Sequence, residues 1–155
     1  MSAKKILIPV DDSKGARACV ATCARFFSDA SPEAVILLHV RQLGGTTLAH
    51  DRISDAELST VQEDLQGTEV EDELERGSKT ILDSHKAFLE KSGMTRIKTM
   101  SRSGHVADTI LETAKAEGAD LIIIGNTRSL LDKLFMGDVS KEVVNHATVP
   151  VLLAK

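Results

Sequence analysis

Short apolar runs alternate with stretches of helical spacing along this chain, and the alternation limits the fold more than any other feature. Continuous aliphatic runs at residues 34–40 and 120–125 predict strands that are buried on both faces. Three further runs complete a β-α-β-α-β-α-β-α-β order, at residues 5–10, 96–101 and 149–153. This order predicts a single α/β domain over residues 1–155, with a parallel sheet, helices on both faces and right-handed crossovers.

Helical spacing of apolar residues connects the runs, at residues 13–28, 57–91 and 106–117. Asp12 or Ser13 can cap the first of these helices. The 57–91 stretch is long and acidic, and its glycines leave open whether it forms one helix or two. Residues 41–59 break the pattern, which predicts a mobile insertion.

Ligands of doubly wound parallel sheets bind at the carboxyl ends of the strands, so a site is expected there. The residues at these ends include Pro9, Val10, Asp11, Val40 and Gly125. Gly125 opens a loop that Gly137 closes in front of a helix, a layout that can hold phosphates on backbone N–H groups.

Composition excludes several classes of partner. The net charge is −4, and the chain has no Trp, no Tyr and only four Phe, which argues against nucleic-acid binding. The apolar runs are too short to span a bilayer, and no signal-peptide pattern develops near the first strand, so we expect a cytoplasmic protein without a membrane partner.

Other residues that could react or bind a metal ion have structural interpretations. Cys19 and Cys23 lie four apart on a predicted helix and are expected to be small buried hydrophobes. The five histidines have no metal-ligand spacing. The chain also lacks a Gly-x-Ser-x-Gly elbow and any other nucleophile pattern, so we expect no catalytic residue.

Four segments together resemble the universal stress protein family: residues 6–13, 37–40, 120–125 and 146–152. They occur in the family's order and spacing, and the resemblance covers essentially the whole chain. It implies a Rossmann-like sheet of the adenine nucleotide alpha hydrolase type, with strand order 3-2-1-4-5. It also implies a homodimer in which the last strands pair, and here the apolar edge strand would present Val149, Val151 and Leu153.

The loop after the fourth strand departs from the pattern of the family's nucleotide-binding members, which is Gly, two residues, Gly, nine residues, then Gly and Ser or Thr. Gly125 and Gly137 match, but Arg128 replaces the second glycine, Asp138 replaces the hydroxyl, and the loop is one residue shorter. Arg128 can pair with phosphate oxygens. Asp138 caps the next helix and repels phosphate, unless Mg²⁺ on Asp11 or Asp138 reverses the sign.

Four more positions match the family. Asp11 resembles the acid near the nucleoside, and Val40 resembles the residue whose backbone faces the base. Val139 and Ser140 follow the last loop glycine, and the Ser140 hydroxyl can donate to a phosphate. Three of these residues also have a structural alternative: Asp11 as a turn or cap residue, Val40 as strand core, and Ser140 as a residue of the first turn of a helix.

The resemblance thus implies a cytoplasmic stress-response protein that acts by binding and regulation, with a degenerate nucleotide loop and no turnover of its own. The alternative is an ATP- or AMP-binding member, with or without Mg²⁺, in which Gly125, Arg128, Gly137 and Ser140 hold phosphates. An enzyme using the same crevice is a remote third hypothesis. The expected partners are a second copy of the chain and an unidentified regulatory protein, for which the acidic run at residues 57–75 is either a docking surface or a solvated face.

Overall fold

Five parallel strands form the centre of the molecule, and the helices between them cover both faces of the sheet. The computed structural model describes residues 4–41, 69–125 and 139–155. In chain order the elements are β1 (Lys5–Pro9), α1 (Lys14–Phe27), β2 (Ala34–Arg41), α2 (Glu69–Lys91), β3 (Ile97–Ser103), α3 (Val106–Glu117), β4 (Leu121–Gly125), α4 (Val139–His146) and β5 (Val151–Ala154).

The strands lie in the order β3-β2-β1-β4-β5, which confirms the predicted topology. β1 is central, and its Ile6 pairs with Val35 of β2 on one side and with Leu121 of β4 on the other. The winding direction reverses between β1 and β4. A crevice is therefore expected outside the carboxyl ends of these two strands.

Two apolar layers hold the helices to the sheet. α1 and α2 cover one face, where Ile8, Leu37 and Leu89 are completely buried. α3 and α4 cover the other face, around Leu7 and Ile122. Burying an aliphatic side chain of this size contributes about 1.5–3 kcal/mol, so both layers stabilise the sheet strongly.

The helix ends follow from local chemistry. The Ser13 hydroxyl accepts a hydrogen bond from the Ala16 N–H at 3.2 Å and caps α1, which typically stabilises a helix by about 1 kcal/mol. Gly118 ends α3 with φ of 67°, a left-handed conformation that favours glycine. Of the two residues proposed to cap the first helix, Ser13 is the one that does so.

Cys19 and Cys23 lie one turn apart on the buried face of α1, and both thiols are free. Burial raises the pKa of each thiol to about 12, and the Asp11 carboxylate adds to the effect on Cys19. Both thiols are therefore protonated at neutral pH and pack as small hydrophobes, as expected.

The boundaries of two predicted segments are only partly testable. α2 runs from Glu69 to Lys91 without a break at Gly77, while residues 57–68 of the predicted helix lie outside the described residues. Arg41 ends β2 and does not open the predicted insertion, of which residues 42–59 lie outside the described residues. In the described part of the chain, no helix is both long and apolar enough to cross a membrane.

The prediction that Val149 belongs to the edge strand is wrong, because β5 begins at Val151. Val149 packs instead against the apolar layer that includes α3. The carbonyl of Pro150 accepts a hydrogen bond from the Ile122 N–H at 3.0 Å. Proline has no N–H to donate to a ladder, so it lies just ahead of the strand.

Candidate functional site

The end of β2 projects past the end of β1 and leaves backbone groups facing the crevice. β1 and β2 are in register only as far as Leu38, whose carbonyl accepts from the Val10 N–H at 2.8 Å. Along β2, alternate residues turn their backbone groups to opposite neighbours, so the N–H and C=O of Val40 point to the β1 side. Within the described residues neither group has a hydrogen-bond partner there.

Asp11 follows β1 directly beside this free backbone and is held at two points. Its Oδ1 accepts a hydrogen bond from the Ser13 N–H at 2.8 Å, which makes a local turn before α1. Its main-chain carbonyl oxygen lies 2.8 Å from Nε2 of His85, on α2. The Asp11 carboxylate is exposed and retains acceptor capacity, so it can bind a hydroxyl group of a ligand.

Gly125 ends β4 on the other side of the crevice, and packing gives one reason for a glycine at this position. A Cβ at this position would lie 3.1–3.2 Å from the backbone of Gly15, in the first turn of α1. This distance is shorter than ordinary van der Waals contact. The close approach of α1 therefore favours a glycine here, whether or not a phosphate binds.

The Ser140 hydroxyl, in the first turn of α4, donates a hydrogen bond to the Gly125 carbonyl at 2.7 Å. This bond joins the start of α4 to the end of β4 across the intervening loop. A hydroxyl has one hydrogen to donate, so Ser140 can reach a phosphate oxygen only by releasing Gly125.

The remaining loop residues of the predicted site are only partly described. Arg128, Gly137 and Asp138 lie outside the described residues, and their roles stay predictions. Val139 opens α4 and packs against the apolar layer of that face. Pro9 and Val10 end β1, and Val10 is buried in the opposite layer. Among the described residues, no three His, Cys, Asp or Glu side chains group closely enough to hold a metal ion.

A set of polar contacts that the sequence analysis missed joins α2 to the same end of the sheet. Its members on α2 recur every seven residues and therefore share one face; we call them the α2 polar row. The contacts are Glu71 to Arg41 at 2.8 Å, Ser78 to Nδ1 of His39 at 2.6 Å, and His85 to the Asp11 carbonyl at 2.8 Å.

The α2 polar row had a signal in the sequence. Its residues lie on the same helix face as Leu82 and Leu89, which helical spacing assigns to the core. A polar residue on a buried face must find a hydrogen-bond partner. Two of the residues in these contacts are the histidines His39 and His85, for which the scattered spacing predicts a structural or solvated role.

The electrostatics at this end of the sheet favour a neutral His39. Burial lowers the pKa of His39, and the positive charge of Arg41 lowers it further. The carboxylates of Asp11 and Asp12 act in the opposite direction but do not reverse the shift. His39 therefore enters the bond with Ser78 as a neutral ring at neutral pH.

The family model of the universal stress protein family matches residues 2–155. A universal stress protein of Methanothermobacter thermautotrophicus is 30% identical over 82 residues, which are 52% of this chain and 56% of that protein. Universal stress protein G of Salmonella typhimurium is 36% identical over 61 residues, 39% of this chain and 43% of that protein. The chain thus spans about half the length of the curated relatives it matches.

Solved structures share the fold over nearly their whole length. Hypothetical protein MJ0577, the subject of a structure-based assignment of biochemical function, has a TM-score of 0.74 and 28% identity, covering 100% of this chain and 97% of its own. A universal stress protein in complex with cAMP has a TM-score of 0.68 and 17% identity, and the match covers 99% of this chain and 98% of that protein. The universal stress protein of Archaeoglobus fulgidus in complex with dAMP has a TM-score of 0.63 and 20% identity, covering 100% of both chains.

The family model thus covers nearly every residue, and the strand order agrees with the one that the family resemblance implied. This chain belongs to the universal stress protein family.

Proposed function

We propose that this chain is a cytoplasmic stress-response protein that acts by binding and regulation, without turnover of its own, and that its crevice receives an adenine nucleotide with a single phosphate. The observation that carries the proposal is the backbone of Val40 beside Asp11, which has no partner among the described residues on the β1 side. An adenine edge offers an acceptor and a donor, which match one N–H and one C=O. The relatives solved with cAMP and dAMP support a ligand of this size.

The phosphate side of the crevice argues against a longer phosphate chain. The Ser140 hydroxyl already donates to the Gly125 carbonyl. The sequence also places Asp138 immediately before α4. A pair of like unit charges 4 Å apart costs about 4 kcal/mol at an effective dielectric constant of 20, so each added phosphate meets repulsion unless Mg²⁺ offsets it.

A serine–histidine pair near the crevice does not favour an enzyme. The Oγ of Ser78 lies 2.6 Å from Nδ1 of His39, a distance that suits a nucleophile and its base. Ser78 is only 2% exposed, however, because it lies on the face of α2 that packs against the sheet. No substrate reaches a hydroxyl that is buried in this way, which supports binding without turnover.

Titration with AMP and with ATP, each with and without Mg²⁺, tests the proposal. We expect AMP to bind and to stabilise the protein, and ATP without Mg²⁺ to bind more weakly. A ligand at 100 times its Kd stabilises by about 2.7 kcal/mol, which a thermal-shift assay detects. A flat AMP titration of protein that was purified free of nucleotide, as checked by chromatography after denaturation, would contradict the proposal.

Two neighbouring aspartates provide a matched pair of variants. Asp11→Asn and Asp12→Asn remove the same charge one residue apart. Asp12 contacts Arg17 through its main-chain carbonyl, at 3.2 Å, and this contact does not involve its carboxylate. We expect Asp11→Asn to weaken AMP binding roughly tenfold and Asp12→Asn less than about twofold, because a hydrogen bond to a charged group is worth more than distant charge. Equal losses would show that net charge alone governs affinity.

The repulsion assigned to Asp138 has its own test. Asp138→Ser restores the hydroxyl of the family pattern and removes the negative charge. If charge repulsion is the barrier, ATP affinity rises while AMP affinity changes little. No gain for ATP would assign the barrier to loop length or to Arg128.

We further propose that two copies pair through their β5 edges. Leu153 of β5 is 44% exposed, and β5 carries no charged residue. The opposite edge strand, β3, carries Lys98, which is ion-paired with Glu117 at 2.8 Å. A charge blunts a sheet edge, whereas a bare apolar edge strand invites pairing.

Sedimentation analysis of two lysine variants tests this assembly. Leu153→Lys places a charge on the β5 edge and should shift the protein to a monomer. Phe26→Lys is the matched control, because Phe26 is an apolar residue that is 63% exposed and lies on α1, not on the β5 strand. A dimer that persists in Leu153→Lys would rule out pairing through β5.

A further inference from the structure

His85 makes a long-range contact from the middle of α2 to the loop that carries Asp11. It lies 74 residues from Asp11 in sequence and is only 6% exposed. Because a carbonyl oxygen can only accept, Nε2 of His85 must carry the hydrogen that points to the Asp11 carbonyl. The bond therefore fixes the ring tautomer and the orientation of the Asp11 peptide group.

Docking of α2 alone does not require a histidine at this position. The same helix face carries Leu82 and Leu89, which are buried against the sheet. An apolar residue at position 85 would extend that stripe and bury more apolar area. The histidine replaces this gain with a hydrogen bond aimed at one residue of the crevice.

The geometry of Asp11 explains what that hydrogen bond can do. The Ser13 N–H holds the carboxylate of Asp11 from the α1 side, and His85 holds its carbonyl from the α2 side. Without the second bond, the Asp11 carbonyl loses the contact that holds it from α2, and the peptide group between Asp11 and Asp12 is less firmly oriented. The carboxylate then no longer has one fixed position relative to the free backbone of Val40.

We propose that His85 is a positioning residue of the crevice: through the Asp11 carbonyl it holds the Asp11 carboxylate where a nucleoside can meet it. This inference rests on the proposed function, since it assigns His85 a role in the same site. His85 itself touches no ligand. The Ser78–His39 bond, two turns away along α2, keeps the helix in register for this contact.

Three variants of the full chain test the inference, with AMP as the probe. His85→Leu removes the donor and keeps the site apolar, whereas His85→Gln keeps an N–H donor. Thr113→Val is the control for loss of a buried polar group, because Thr113 is completely buried on α3 and its hydroxyl donates within the same helix, to the Thr109 carbonyl at 2.7 Å.

We expect His85→Leu to weaken AMP binding roughly tenfold, and His85→Gln by less than about threefold. Thr113→Val should leave affinity within about twofold even where it lowers stability. Wild-type affinity in His85→Leu would overturn the inference. Equal weakening in His85→Gln and His85→Leu would overturn it as well, since the donor would then be irrelevant.

A double-mutant cycle separates positioning from a general structural role. In an Asp11→Asn background, His85→Leu should cost less than about twofold in AMP affinity, because the group that it positions has already been changed. A full loss in both backgrounds would show that His85 acts without Asp11, and the inference would fail.

The inference can also be judged if wild-type protein does not bind AMP and the proposed function fails. In ligand-free protein, the amide resonances of Asp11, Asp12 and Ser13 should shift or broaden in His85→Leu. They should stay in place in Thr113→Val. Unchanged resonances in His85→Leu would overturn the positioning role by themselves.

Discussion

The two sides of the crevice differ in what they leave available to a ligand. On the β1–β2 side, Val40 presents an N–H and a C=O that no residue in the described part of the chain pairs with, and Asp11 presents an exposed carboxylate. On the β4–α4 side, Gly125 is packed against α1 and its carbonyl accepts from Ser140. One side is thus free to bind, while the described groups of the other satisfy one another.

This difference shows that a motif residue can be retained for a reason other than the ligand. Gly125 matches the family's phosphate loop, yet the backbone of Gly15 by itself leaves little room for a side chain there. Its presence therefore says little about phosphate binding. Val40 carries no distinctive side chain, yet its backbone is the clearest binding feature in the described residues.

The largest expected effect is on stability, from Gly125→Ala. The added Cβ meets the Gly15 backbone at 3.1–3.2 Å, and backbone cannot move aside as a flexible side chain does. We expect a loss of about 1–3 kcal/mol in the free energy of unfolding, the usual cost of overpacking. Urea denaturation of the ligand-free protein measures it.

Gly77→Ala is the control for that variant. A Cβ at Gly77 meets nothing within 4 Å, and the residue lies inside α2. It should stabilise the protein by up to about 1 kcal/mol, because alanine favours the helix. If Gly125→Ala is instead as stable as wild type but loses AMP affinity, the glycine serves the ligand, and the contrast between the two sides breaks down.

Replacing Ser140 should have a smaller effect. Ser140→Ala removes the hydrogen bond to the Gly125 carbonyl, which typically costs about 1 kcal/mol of stability. AMP affinity should stay within about twofold, since the hydroxyl is already engaged within the protein. Ser140→Thr keeps the hydroxyl and should retain most of the stability.

Ser140→Ala can also contradict the contrast between the two sides of the crevice. If Ser140→Ala loses AMP affinity by roughly tenfold while Ser140→Thr does not, the hydroxyl turns from Gly125 to the phosphate when ligand binds. The closed β4–α4 side would then be a property of the ligand-free protein only. Calorimetric titration of both variants distinguishes the two results.

Sequence reasoning predicted the sheet because the strands carry their own apolar signal. It was less accurate where that signal fades: β3 extends two residues past the predicted end, through Arg102 and Ser103. These residues are polar, and their place in the strand depends on pairing with β2. Edge boundaries of this kind depend on a neighbour that no local pattern reveals.

The site was predictable in its location but not in its contacts. Topology alone placed Asp11 and Val40 at one end of the sheet. The packing of Gly125 depends on Gly15, which is 110 positions earlier in the sequence, and so no local pattern predicted it. The contact from His85 to Asp11 likewise depends on how α2 lies over β2 and β3.

The smallest expected effect is a pH dependence that belongs to the β1–β2 side. Burial holds the pKa of His39 below its ordinary value, so the folded protein favours the neutral ring. In the unfolded chain the ring takes up a proton near its ordinary pKa of about 6.5. Its contribution to stability is therefore complete above that pH and is lost as the pH falls through the lowered folded pKa.

Urea denaturation at several pH values between 7.5 and 5 measures this effect. His39→Gln should reduce the loss of stability between these values, because the group that takes up a proton on unfolding is gone. Thr113→Val is the control, since it lowers stability without removing a titratable group. If His39→Gln keeps the full pH dependence of wild type, other groups cause it, and the polar contacts beneath α2 do not make the β1–β2 side sensitive to acid.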